Sequence, residues 1–112
     1  MRTADAPYLP VAQTVYRVQT SLLPVPDPET HRTVVVLAAP AAVTGTVAVV
    51  ARSSADGFGV EHGPDPRLGL TSPGTFSRRL AVQAELWSPS LATPLGRLDD
   101  ATFAAVTERF GS

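Results

Sequence analysis

Two short runs dominated by valine constrain this chain more than anything else in it: Thr33-Val34-Val35-Val36-Leu37 and Thr46-Val47-Ala48-Val49-Val50-Ala51. In an extended strand successive side chains point to opposite faces, so a run that is apolar at nearly every position needs cover on both sides. β-branched residues fit a pleated surface, and runs this short suit strands better than helices. Both are therefore predicted as buried, central strands, connected by residues 40–45. A chain of 112 residues is near the common size of one domain, so both covering layers must come from the same fold.

The other segments supply that cover. Thr14-Val15-Tyr16-Arg17-Val18-Gln19 alternates apolar and polar residues like a half-buried strand. Pro24, Pro26 and Pro28 donate no ladder hydrogen bonds, so residues 23–31 form a loop that delivers His31 and Arg32 to the start of the next strand. Residues 57–74 are dense in Gly and Pro and read as an irregular excursion, with short strands around residues 58–61 and 68–70. Alternation returns over residues 75–87, where Phe76, Leu80, Val82 and Ala84 share a face; Arg78 falls on that apolar side and must sit at a rim or find a partner. A closing helix is predicted with Asp99 as its cap, Leu98 and Phe103 as a hydrophobic staple, Phe103, Val106 and Phe110 on one face, and Gly111 as its stop. The expected fold is mainly β, a small barrel or rolled sheet with one C-terminal helix packed on it. A loose leader over residues 1–12 precedes a single domain over residues 13–112.

Composition excludes several functions. The chain has no cysteine, hence no disulfide, no thiolate nucleophile and no Cys-built zinc site, and a reducing cytoplasmic setting is expected. No basic-then-apolar leader opens it, and its apolar stretches fall short of membrane-spanning length. A net charge of -1 argues against general nucleic-acid binding, so any site for a polyanion must be local. All nine basic residues are Arg, a bias that a GC-rich genome explains as well as phosphate recognition does. There is no Walker loop, no HExxH, no nucleophile elbow and no dinucleotide fingerprint. His31 and His62 read as solvated loop residues, and Asp99-Asp100 as a helix cap rather than a carboxylate pair.

Three clusters at strand ends carry what chemistry remains: Asp27 with His31-Arg32, then Arg52-Ser53-Ser54, then Arg78-Arg79. Together they offer guanidinium forks for phosphate and hydroxyls that donate to a phosphoryl oxygen. Such a set suits chemistry on a phosphodiester in which a neighbouring ribose hydroxyl attacks, with no cofactor and no metal.

The pattern from Val15 onward resembles the PemK/MazF family of bacterial toxins. Asp27-Pro28-Glu29-Thr30-His31-Arg32 before the first Val-rich run looks like the family's acidic residue, spacer, Arg-Pro and strand. Thr44-Gly45, the second run and Arg52-Ser53-Ser54 are similar to its second strand and terminal hydroxyls. Residues 80–87, then Leu95-Gly96-Arg97-Leu98-Asp99-Asp100 and the helix, mirror its late strand and closing helix. The resemblance implies an SH3-like rolled barrel that dimerises with itself, cleaves single-stranded RNA without metal, and is silenced by an antitoxin protein. It implies that Arg32 stabilises transition-state charge and takes part in proton transfer, and that Ser53 or its neighbour Ser54 holds the scissile phosphate. Asp27, His31, Arg78 and Arg79 fall among the substrate-binding positions. Thr33 replaces the family's proline after the Arg, and its Arg-Gly-Asp-like opening is missing before Val15. Two alternatives stand beside the nuclease: a non-catalytic, partner-binding member of the same fold, and a gyrase-inhibiting relative using Phe110-Gly111-Ser112.

Overall fold

In the computed structural model, which describes residues 10–38, 45–54 and 58–111, six strands form one antiparallel sheet. They are β1 (Thr14–Gln19), β2 (His31–Ala38), β3 (Thr46–Ser53), β4 (Val60–His62), β5 (Gly74–Gln83) and β6 (Ala92–Arg97), and a helix, α1 (Asp100–Phe110), follows. The sheet order is β4-β5-β3-β2-β1-β6, so the two Val-rich runs are the central strands, as their composition predicts. The leader up to residue 9, most of the connection between β2 and β3, and residues 55–57 lie outside the described residues.

The curled sheet has a core on each face. Val34, Val36, Val47 and Val49 point to one, with Tyr16, Leu80, Val82 and Trp87; Val35 and Val50 point to the other, with Val15, Phe76, Leu98 and Val106 of α1. The six valines at positions 34–36, 47, 49 and 50 are completely buried, each contributing on the order of 1.5–2 kcal/mol by removing apolar surface from water. In the first core Trp87 meets Tyr16 edge to face, centroids 5.0 Å apart.

Two irregularities decide which side chains reach which face. In β5, Arg78 pairs with Ala51 but Phe76 pairs with Arg52, leaving Ser77 as the extra residue of a bulge. The bulge turns Phe76 into the helix-side core, not onto the face of Leu80 and Val82 that simple alternation predicts. β5 also stops at Gln83, where a 3-10 turn over Ala84–Leu86 carries Trp87 into the first core. Of the excursion, β4 and an Asp65–Leu70 bridge are the ordered pairings.

β6 is not anticipated by the sequence, because Pro94 and Gly96 argue against a strand. It is an edge strand paired with β1, where a residue lacking a donor is tolerated, and it bulges at Leu95. Gly96 is required there: its φ is +145°, and a Cβ would come within 2.8 Å of Leu68. The predicted cap holds, since Asp99 Oδ2 accepts from the Thr102 N–H at 2.9 Å and from its hydroxyl at 2.8 Å. Pro10, within the expected leader, is buried, and the Val11 N–H donates to the Tyr16 hydroxyl. No described helix is long and apolar enough to cross a membrane.

Candidate functional site

The end of the sheet where β2 begins and β3 ends gathers the charged residues, and strand register sorts them. Val18 pairs with Arg32, Val34 with Ala51, and Ala51 with Arg78. The two-residue period carries this face from Val34 back to Arg32 and from Ala51 on to Ser53. Arg32, Ser53 and Arg78 therefore stand on the Trp87 side, where with Asp27, Ser77 and Leu80 they line a cavity of about 180 Å³.

The proline loop fixes the geometry of Arg32. Its Nε donates to Asp27 Oδ2 at 3.0 Å and its Nη2 to Asp27 Oδ1 at 2.7 Å, a two-point fork. Asp27 is itself set by the Glu29 N–H, which donates to Oδ1 at 2.9 Å, while the Thr20 hydroxyl donates to the Glu29 carbonyl at 2.6 Å. Hydrogen bonding from Arg32, then from the Glu29 N–H, holds the Asp27 carboxyl below its ordinary range; the same bond to Asp27 raises Arg32. The fork thus holds a guanidinium that Thr33, standing where the family has proline, does not constrain. Among the described residues neither Arg32 Nη1 nor the Arg78 guanidinium has a hydrogen-bond partner.

The remaining predicted site residues do not join this cavity as a set. His31 and Ser54 belong to the opposite, helix-side face, in a second cleft of about 410 Å³ with Arg17, Thr33 and Arg52, which Arg32 also borders from the strand end. Of the two serines offered by the sequence, Ser53 is the one on the face of Arg32. Arg79 also points to the helix side, where its Nη1 donates to the Phe110 carbonyl at 2.6 Å. It secures the end of α1 and is not presented beside Arg78. Phe110 packs, partly buried, on the helix-side core.

Arg52 is buried at 9% exposure and serves the fold. Its Nε donates to His62 Nδ1 at 2.9 Å, and its Nη2 donates to the carbonyls of His62, Gly63 and Ser72. Burial pushes its pKa down, partly offset by the charge of Asp65. His62 is accordingly not the solvated loop residue the sequence suggests; it is 6% exposed on β4. With Nδ1 accepting, the neutral ring carries its proton on Nε2, 3.3 Å from Asp65 Oδ2. Donor atoms of His62, Asp65 and Asp99 lie within 4.8 Å of one another. Their negative charge is already answered by Arg52 and, at Asp99, by the start of α1.

No protein-family model and no curated protein matches the chain. Among solved structures, a chain in the crystal structure of MazE–MazF (form II) from Deinococcus radiodurans is similar, with a TM-score of 0.59 over 93% of each chain at 23% identity. The sheet order, the closing helix and this match define a protein with a MazF/PemK-like fold. That is the fold the sequence resemblance implies.

Proposed function

We propose that this chain is the toxin of a toxin–antitoxin pair and an endoribonuclease acting on single-stranded RNA. The observation that carries the reading is the convergence of Arg32 and Ser53, 21 positions apart in the chain, in one cavity at the shared end of β2 and β3. In the reaction a ribose 2′-oxygen bonds to phosphorus and the bond to the 5′-oxygen breaks, leaving a 2′,3′-cyclic phosphate and a 5′-hydroxyl. Negative charge grows on the non-bridging oxygens, and the roles of meeting it fall to Arg32, Ser53 and Arg78, which line the cavity. Asp27 raises the Arg32 pKa, so Arg32 keeps its proton and acts as an electrostatic stabiliser; the 2′-proton passes to water, and water returns a proton to the departing 5′-oxygen. The internal nucleophile makes a metal unnecessary. The fold's likeness to a chain solved with an antitoxin supports an antitoxin partner, and the exposed sheet edges support self-association as a homodimer in the cytoplasm.

The test is cleavage of a mixed-sequence RNA pool by purified protein in a chelator, with the product ends identified by mass. Arg32→Ala is expected to lower the rate by about 10²–10³-fold while the circular dichroism spectrum is unchanged. A folded wild-type protein that leaves every RNA intact overturns the nuclease reading in favour of a partner-binding module.

A further inference from the structure

We infer that the helix-side cleft at the same sheet end is a second phosphate subsite, where Arg17 and His31 hold a phosphodiester flanking the one in the Arg32 cavity. The inference rests on the reading of that cavity as an RNA site. Arg17, Thr33 and Arg52 form one rung across β1, β2 and β3, and His31, paired with Gln19, lies one step further out on the same face. Because neighbouring residues of a strand face opposite ways, Ser53 and Ser54 at the end of β3 divide between the two clefts, while on β2 His31 borders the helix-side cleft and Arg32, at the strand end, borders both. An extended backbone crossing this strand end leaves one cleft and enters the other.

The chemistry of the cleft selects a polyanion. Arg17 is exposed in mid-strand, and among the described residues its guanidinium has no hydrogen bond or ion pair. Around it stand Thr33, Ser54 and His31, and Glu29 is the one acidic residue against three arginines, of which Arg32 is shared with the first cavity and Arg52 is already hydrogen-bonded into the fold. On a chain of net charge -1, this places positive charge locally, where contact with a nucleic-acid backbone needs it. The lining is almost wholly polar, so it holds the backbone and leaves base recognition to other surfaces.

Binding decides the matter without cleavage. The probe is a labelled single-stranded oligoribonucleotide carrying 2′-O-methyl groups throughout, which cannot be cut, followed by fluorescence anisotropy across a salt series. Arg17→Gln is expected to weaken binding about tenfold at low salt and to reduce the slope of log K against log salt by about 0.7, the share of one phosphate contact on a single strand. Arg17→Lys is expected to restore the slope. Arg17 packs in neither core, so both variants keep the fold, which circular dichroism checks. Unchanged affinity and slope in Arg17→Gln overturn the subsite, as does a wild type that does not bind the probe. A wild type that binds with this Arg17 dependence yet cleaves no RNA sustains the subsite and overturns the nuclease reading alone.

Discussion

Replacing Arg52 with methionine isolates what the buried guanidinium does, because methionine keeps much of the length and apolar stem while removing every donor. The wild-type side chain makes four hydrogen bonds from a position 9% exposed. Two of them, to His62 Nδ1 and the His62 carbonyl, are fully buried, and losing the donor leaves those acceptors without a partner. Orphaning a buried acceptor costs about 1–3 kcal/mol. The carbonyls of Gly63 and Ser72 are partly accessible, so water replaces those bonds at little cost. The expected loss is about 2–6 kcal/mol, a large fraction of the roughly 5–15 kcal/mol that holds a domain of this size. Urea unfolding followed by far-UV circular dichroism measures it, with the midpoint moving to lower urea and the slope unchanged. At about 4–8 °C per kcal/mol, thermal unfolding should fall by roughly 10–50 °C. A variant within about 0.5 kcal/mol of wild type, the usual range for a surface substitution, refutes the assignment of Arg52 as the internal tie between β3, β4 and the start of β5.

Three further outcomes follow from the same geometry. Since Arg32 holds the Asp27 carboxyl below its ordinary range, the fork is intact above the unfolded carboxyl's pKa and is lost only as pH falls through the lowered folded value; amide exchange in the proline loop should therefore stay slow from neutral pH to about pH 5, and Asp27→Asn should speed it at every pH. Gly74→Ala should destabilise the protein and expose His62, because a Cβ there comes 2.8 Å from the Arg52 guanidinium carbon and 2.9 Å from the Ser53 carbonyl; unchanged thermal stability rules out that crowding. Asp99→Ala removes the cap of α1 and should cost about 1 kcal/mol at neutral pH. The cost should shrink in acid, where the Thr102 N–H no longer keeps the Asp99 carboxyl ionised, as urea titrations at two pH values will show.

The central strands, the proline loop and α1 were legible because each follows from a local rule: valine runs, missing donors, and a cap with its staple. β6 was hidden because Pro94 and Gly96 break the strand rule, and only the edge position beside β1 makes them tolerable. The face of Phe76 was misread for a similar reason. One unmatched residue in β5 depends on pairing with β3, which alternation along a single strand does not report. The convergence of Arg32 with Ser53 was inferred through family resemblance, whereas its fork to Asp27 and the second cleft around Arg17 became visible only with the register in hand. His62 illustrates the opposite limit: a His flanked by Glu and Gly reads as solvent-facing until a buried Arg ten positions earlier is found to need an acceptor.

The chain has a single tryptophan, and it lies wholly on one side of the sheet. Trp87 emission is therefore a built-in optical gauge for the layer beneath the Arg32 cavity, while the far-UV signal of α1 reports on the opposite layer. Melting curves recorded through both channels would coincide if the two layers come apart as one unit and separate if either yields first.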